Sequence, residues 1–466
     1  MKFIRLTDDF VIRETAKDEF ILFNWVKGDI YPLKNSQLLI LKLCNGKNTS
    51  NEIISKTYRN TPPGFTREFL LEQLKNKIVS KTDKPSLRKV IKRLHKNIGQ
   101  NLRFVQWEVS ALCNQKCKHC YNKDFIFAKK GLSKEKCFKI VKQLDAVNNL
   151  GFQITGGEPL ARKDIFELLE YIEQRMMNIR VIFSNAILLD GDKVKKINSL
   201  KSDLIYIISF DGPDPESYDF IRGPGQFKLF LKKIKKRIGI NVMLHRKNIG
   251  KTTKILDFIE KNFPKADRVR IGTFNRNEQG SYRENKNIIG ISLSEEVEAY
   301  KKILKEFYKR KMQKKHRLEL SNFYKSAVEN IGVLEFNPES HPCKYTGGLT
   351  FTIKSDGKLQ WCPTMHQLVF GDINKISIEE AMKLKSFKRF SNLKIKDLPN
   401  CINCPLRILC GGGCRALVYP EITREDKSAC FAINYFKNNV IPILPKGTRK
   451  ILEDSLKKGE FKNFKK

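Results

Sequence analysis

The sequence lacks most of the features that place a chain at a glance. No apolar run approaches the roughly 20 residues that cross a membrane, and the 466 residues hold no internal repeat and no low-complexity tract. The chain opens Met-Lys-Phe-Ile-Arg with no apolar signal segment, so a reducing cytoplasm is expected and a disulfide framework is not. Acidic residues are short: 50 Asp and Glu stand against 89 Lys and Arg, a net charge of +39. Such an excess would attract RNA, an anionic membrane or an acidic peptide. Most of it is lysine spread evenly along helical stretches, however, which reads as solvated surface. Two concentrations are local, Lys84 to Lys96 and Lys446 to Lys466, the second expected to be a frayed basic tail. Histidine is scarce as well, and only His119 lies beside the first group of cysteines.

Cysteine is what the chain does have, 12 in all. Cys113-Asn-Gln-Lys-Cys117-Lys-His-Cys120 sets three thiols at spacings that can wrap one face of an iron-sulfur cluster. Cubane clusters normally take four thiolates, and no fourth Cys follows until Cys137, so something other than protein would complete the set. Structural zinc is the alternative, although it prefers four closed ligands in paired knuckles. The run Phe152 to Pro159, Phe-Gln-Ile-Thr-Gly-Gly-Glu-Pro, reads as a strand ending in an exposed turn, with a helix expected from about Lys163 to Arg175. Gly156 and Gly157 let backbone approach a ligand, and Glu158 puts a negative charge there, suited to an ammonium group. Apolar β-rich runs recur at Val181 to Asn185, Leu204 to Gly212, Ile238 to Leu244 and Arg268 to Gly272, separated by helical periodicity. That alternation implies parallel strands in a barrel or open sheet, with ligand-binding residues at the C-terminal strand ends. Ser184, Asn185, Ser209, Asp211 and Arg222 fall at or just beyond such ends, where helix caps and turn formers also gather.

The Cys triplet followed by Gly-Gly-Glu resembles the radical S-adenosylmethionine (radical SAM) superfamily. The resemblance implies an α/β fold, a partial (β/α)6 TIM-like barrel. It implies that Cys113, Cys117 and Cys120 hold a catalytic [4Fe-4S] cluster whose open iron is chelated by SAM. It further implies that Gly156, Gly157 and Glu158 hold the SAM amino group, that Tyr121 contacts adenine, and that Ser184 and Asn185 lie near SAM. Ser209 and Asp211 would face ribose or substrate, and Arg222 would approach the SAM carboxylate. Seven later thiols, Cys343, Cys362, Cys401, Cys404, Cys410, Cys414 and Cys430, with Gly357 separated from Cys362 by four residues, resemble the SPASM extension of these enzymes. By that resemblance Cys343, Cys362 and Cys414 ligate a first auxiliary cluster, and Cys401, Cys404, Cys410 and Cys430 a second, making three [4Fe-4S] clusters in total. Some SPASM members carry an extra Cys that residues 344–361 lack, so the first auxiliary cluster is expected to have an open iron or a non-Cys ligand. Cys44 and Cys137 sit in helical apolar patterns and read as core residues.

Residues 1–85 look different. Phe10 to Arg13, Glu19 to Trp25 and Tyr31 to Leu33 read as short strands, followed by three helices, the second opened by the capping box Thr49-Ser-Asn-Glu52. This winged-helix-like order resembles the recognition element of enzymes that modify ribosomally made peptides, in which the leader adds a strand to a sheet edge; winged helices also bind DNA. The expected organisation is a recognition element at 1–85, a basic linker at 86–105, the barrel at 106–310, a helical bridge at 311–340, a SPASM domain at 341–440 and a basic tail at 441–466. A charged helix from Ser294 to Arg317 is expected to join barrel and C-terminal module. The combined reading is a cytoplasmic peptide maturase, served by a reductant such as flavodoxin or ferredoxin, that forms a thioether cross-link, a carbon-carbon cross-link or an inverted residue. Sulfatase-activating, tetrapyrrole-modifying and RNA-modifying relatives remain as alternatives.

Overall fold

The computed structural model describes residues 2–16, 18–88, 90–92, 102–124, 126, 131–233, 238–274, 280–320, 341–342, 350–406, 410 and 412–461. Its N-terminal module runs β1 (Phe3–Leu6), β2 (Phe10–Ala16), β3 (Glu19–Asn24), β4 (Asp29–Leu33), α1 (Asn35–Leu43), β5 (Asn45–Thr49), α2 (Ser50–Thr57), α3 (Pro63–Lys75), β6 (Val79–Thr82) and β7 (Ile91–Lys92). The anticipated three strands and three helices are β2, β3, β4 and α1, α2, α3. The box that opens α2 is formed: Thr49 Oγ1 accepts from Glu52 N at 3.3 Å, and the Glu52 carboxylate accepts from Thr49 N at 2.7 Å.

A second sheet, ordered β5-β1-β6, was not expected from the sequence. Its strands are short, β5 is the polar run Asn-Gly-Lys-Asn-Thr, and β1 pairs with residues far along the chain, Phe3 opposite Thr82. The boundary at residue 85 also moves. Ser86 N donates to Gly46 O, the Arg88 guanidinium donates to Leu6 O and Phe10 O at 2.8 Å each, and β7 pairs with β2. Residues 86–88 and 90–92 of the expected linker therefore belong to the module, while 93–101 lie outside the described residues.

The barrel follows as seven parallel strands, each bonded to the next in chain order: β8 (Val105–Ser110), β9 (Gly151–Gly156), β10 (Asn178–Ser184), β11 (Ile205–Ser209), β12 (Gly239–Met243), β13 (Arg268–Gly272) and β14 (Arg317–Leu320). Crossover helices such as Lys134–Ala146, Ile165–Gln174, Thr252–Asn262 and Leu293–Lys309 cover the outer face. There Trp107, Phe152, Ile208 and Ile240 share one buried core with Ile140, Leu168, Ile255 and Ile303. The bridge expected at 311–340 is corrected in part. The helix ends at Lys309, and Arg317–Leu320 is a barrel strand. Residues 321–340 lie outside the described residues.

Strand β15 (Thr352–Ile353) pairs in parallel with β8, and β16 (Lys358–Gln360) and β17 (Val369–Asp372) continue the same sheet antiparallel. The Cys-rich region is thus joined to the barrel through the sheet itself. The expected frayed tail is instead largely a helix, Lys446–Phe461, whose Leu452 and Leu456 are buried in the main core. These two leucines, four apart, give one apolar stripe within the run of charge. Among the described residues no helix is long and apolar enough to cross a membrane.

The N-terminal module packs on the rim formed by the N-terminal ends of the barrel strands. Arg13, almost fully buried, donates to Asn148 Oδ1 at 3.1 Å and to Met176 O at 2.8 Å and lies 3.6 Å from Asp145. Burial pushes its guanidinium down to about 10. Asn178 Nδ2 donates to Trp25 O and Val26 O, and Leu150 joins Val11, Ile21, Phe23 and Trp25 in a small core.

Candidate functional site

At the opposite rim, the strand ends and the loop after β8 enclose a cavity of about 550 Å³. Cys113, Cys117 and Cys120 line it, together with Tyr121, Gly156, Gly157, Glu158, Ser184, Asn185, Ser209 and Arg222. The glycine pair seats the cysteine loop on the end of β9. A Cβ on Gly157 would lie 2.2 Å from Leu112 O, and one on Gly156, where φ is +149°, 2.7 Å from Ser110 O. Gly157 N donates to Ser110 O and Glu158 N to Leu112 O, at 2.8 and 2.7 Å. The close approach anticipated at these glycines is therefore to the loop that carries the thiols.

Glu158 is buried, and its carboxylate accepts from Ser184 Oγ and Asn185 N at 2.8 Å each and from Leu160 N at 3.1 Å. Burial nevertheless raises its pKa above the ordinary carboxylate value. Asn185 Nδ2 in turn donates to Asn114 Oδ1 at 2.8 Å, tying β10 to the cysteine loop. Arg222 closes the helix Pro215–Arg222, which Asp214 caps. Its Nε donates to Asp211 at 2.6 Å, and its Nη1 reaches Gln115 at 3.1 Å and Cys117 Sγ at 3.7 Å.

Asp211 departs from expectation. It is fully buried and is not among the cavity-lining residues. Its carboxylate is engaged by Arg222 and by Met243 N, with His119 Nε2 at 3.8 Å. Burial opposes ionisation there, but Arg222 and His119 outweigh it and hold the carboxyl below its usual value. Facing ribose or substrate is thus not its geometry; it orients Arg222.

Burial pushes the thiols of Cys113 and Cys120 up to about 11 and about 12, and raises Cys117 against the pull of Arg222. Ligating iron must displace those protons. The arrangement fits a cluster with a small ligand beside it: three thiols on one loop, an anionic and a cationic side chain flanking them, and an open chamber. His119 Nδ1, buried beside this loop, has no hydrogen-bond partner among the described residues.

Cys362 lines the same cavity, with Thr364 Oγ1 3.2 Å from its sulfur. Cys401, Cys404, Cys410 and Cys430 form a separate electrostatic group: burial raises Cys401, Cys410 and Cys430, with neighbouring thiols of the group adding to it, against the pull of Arg415 on Cys401 and of the Gly412 backbone N–H on Cys410. Gly413, at φ +77°, passes so close to Asp426 that a Cβ would meet its Cβ at 2.6 Å, while Cys414 N donates to Asp426 Oδ2 at 2.9 Å. Cys343 lies outside the described residues. The described cysteines are all free thiols, with Cys44 and Cys137 buried in the core as expected.

Two groups escaped the sequence reading. Gln106, Gln153, Asn241, Arg268, Arg270 and Glu319 line the lumen from mid-strand positions. Lys354, Glu108 and Asn122 form a buried cluster between β8 and the Cys-rich region: Lys354 Nζ donates to Glu108 at 2.7 Å and to Asn122 Oδ1, and Asn122 Nδ2 donates to Glu108 at 2.7 Å. Period-2 alternation within each strand, as at Gln106 and Glu108 or Arg268 and Arg270, would have pointed to the inward faces.

Residues 107–259 match the radical SAM superfamily, and residues 343–405 match the SPASM iron-sulfur cluster-binding domain. Over 167 residues the chain is 26% identical to the AdoMet-dependent heme synthase of Methanosarcina barkeri, covering 34% of this chain and 47% of that protein. It is 28% identical over 129 residues to mycofactocin maturase MftC of Mycolicibacterium smegmatis, covering 28% and 32%. The matched segment thus spans less than half of either relative. In fold it resembles Streptococcus suis SuiB bound to the precursor peptide SuiA, with a TM-score of 0.63 at 16% identity over 92% of this chain and 100% of that one. It also resembles anSMEcpe with bound AdoMet and a peptide, with a TM-score of 0.59 at 18% identity over 76% and 98%. Cysteine loop, parallel barrel and Cys-rich extension thus agree with these matches: the chain carries a radical SAM domain and a SPASM domain, the domains that use SAM with a 4Fe-4S cluster and bind auxiliary iron-sulfur clusters.

Proposed function

We propose that this enzyme is a maturase that forms a cross-link, a Cys sulfur-to-carbon thioether, in a ribosomally synthesised precursor peptide. The observation that carries the reading is the shared chamber: Cys362 of the SPASM region and the Cys113, Cys117 and Cys120 loop wall one cavity. In this reading those three thiols hold the catalytic cluster, and Cys362, with Cys343 and Cys414, holds the first auxiliary cluster beside the substrate. Cys401, Cys404, Cys410 and Cys430 hold the second. With SAM bound, a cluster held there would supply 5'-deoxyadenosyl radical chemistry, which removes hydrogen from an unactivated carbon.

The chain's own residues supply position and exclusion. Glu158, fixed by three donors, accepts from the SAM ammonium through its remaining lone pairs. Arg222, braced by Asp211, offers its guanidinium to the SAM carboxylate next to Cys117. Tyr121 forms an aromatic wall for adenine, and the buried strand ends keep water from the reacting carbon. Strand β4 is an edge of its sheet, with Tyr31 44% exposed, and is the candidate site for a leader to add as a strand. The SuiB structure with its precursor peptide and the similarity to a mycofactocin maturase support a peptide substrate. Cys137 is buried on an outer helix and does not line the cavity, which weighs against it as the hydrogen donor of an epimerase.

The test is mass spectrometry of a candidate precursor co-expressed with the enzyme under low oxygen, against a Cys113→Ala/Cys117→Ala/Cys120→Ala control. Loss of two hydrogens per event together with one thiol protected from alkylation supports the thioether. Loss of two hydrogens with every thiol still alkylated means a carbon-carbon bond. Modification that persists in the control overturns the site.

A further inference from the structure

Most of the charged side chains around the cavity are already answered by a partner. Glu158 has three donors, Arg222 has Asp211, and Arg268 Nε lies 2.6 Å from Glu319. Arg270 is different. It lies on β13 two residues before Gly272, or about 7 Å below the rim, and it lines the cavity from the lumen wall. Among the described residues its side chain has neither an ion pair nor a hydrogen bond. Its Cα neighbours across the sheet are Asn241 on β12 and Glu319 on β14, and Ser209 is one strand further along the same row. Glu319 is already taken by Arg268. The Asn241 and Gln153 side-chain amides, also lining the lumen, make no hydrogen bond among the described residues.

A half-buried guanidinium facing a chamber, with uncommitted amides nearby and the neighbouring Glu319 carboxylate already paired, is a site for a planar anion. A fork of N–H donors matches a carboxylate, and the reduced dielectric of a lumen strengthens the pairing. We propose that Arg270, with Asn241 beside it, is a specificity-determining carboxylate subsite: the substrate enters the barrel with a carboxylate, from an acidic side chain or a chain terminus, held below the cluster loop. The assignment rests on the proposed peptide reading only for the identity of the molecule that bears the carboxylate. The other source of that chemistry is SAM itself, but Arg222 already stands 3.7 Å from a cluster-loop thiol and is the nearer cation for it.

The probes are glutaramate, which carries one carboxylate, and the neutral glutaramide, titrated calorimetrically into cluster-reconstituted, SAM-loaded enzyme, alongside SAM affinity measured by equilibrium binding. Wild type is expected to bind glutaramate at least tenfold more tightly than glutaramide. Arg270→Gln is expected to erase that preference and Arg270→Lys to keep part of it, with SAM affinity within twofold in both and unchanged circular dichroism. Glutaramate binding that survives in Arg270→Gln overturns the subsite. A large loss of SAM affinity in that variant overturns it as well, by giving the carboxylate to SAM. Because the probes are not peptides, loss of the preference on Arg270→Gln supports the subsite even if the peptide reading fails.

Discussion

Lys354→Met would test how the SPASM region is bonded to the barrel. Lys354 and Glu108 are both wholly buried, 2.7 Å apart, and Asn122 bridges them, so removing the ammonium leaves a carboxylate inside protein with one neutral donor. Removing one partner of such a pair costs about 3–5 kcal/mol, whereas replacing both by apolar groups is commonly neutral or stabilising. Spread over a urea m-value of about 3 kcal/mol/M, that cost lowers the midpoint by about 1–1.7 M. A chain with several modules unfolds in more than one step, so a local reporter is needed. The sequence has three tryptophans, and two, Trp107 on β8 and Trp361 just after β16, flank this junction. In a Trp25→Phe background their fluorescence follows this transition. The expected order is wild type close to Lys354→Met/Glu108→Leu, with Lys354→Met alone well below. A single variant within about 0.3 M of wild type, or a double variant as unstable as the single, refutes the reasoning.

Gly157→Ala forces a Cβ to within 2.2 Å of a backbone oxygen under the cysteine loop, so iron content after reconstitution and SAM affinity are both expected to fall severalfold. Gly191→Ala, at a helix start with no atom within 4 Å of the new Cβ, is the control and is expected to leave both unchanged. Arg13→Met removes the buried latch between N-terminal module and barrel, while Asp145 keeps its bond to Arg175 at 2.7 Å. Limited proteolysis is expected to release the module faster than in wild type, and equal rates would mean that the apolar contacts around Leu150 hold it without the latch.

The parts of the fold visible in the sequence were those that local chemistry dictates. The spacing of Cys113, Cys117 and Cys120, the Gly-Gly-Glu turn and the Thr49 capping box depend on neighbours within a few residues, and each can be read directly. The β5-β1-β6 sheet could not, because its pairing joins Phe3 to Thr82 and its strands carry little alternation. Asp211 was misassigned because a strand end shows only that a side chain is near the rim; the helix returning Arg222 to meet it is a tertiary fact. Lys354 was invisible for the opposite reason. In a chain so rich in lysine, one more reads as surface, and only the pairing of β15 with β8 brings it to Glu108. The lumen residues were missed because attention to strand ends ignores the inward positions below them.

The two halves of the proposed activity occupy opposite rims. Every bond of the N-terminal module to the barrel named above falls at or just before the N-terminal ends of β9 and β10, whereas the thiols follow β8 at its C-terminal end. A leader paired along β4 therefore begins on the far side of the barrel from the chemistry. Strand β8 has 6 residues, so the barrel wall is about 20 Å deep at roughly 3.3 Å per residue. An extended peptide needs at least about six residues to span that depth, and more to pass around the covering helices. Leader and modified residue must then be separated by a spacer whose length, more than its composition, decides whether both ends engage at once. Beyond that minimum the entropic cost of lengthening grows only as the logarithm of length. Shortening the spacer should abolish modification abruptly, and lengthening it should erode modification slowly, an asymmetry that a module serving only as structural support would not produce.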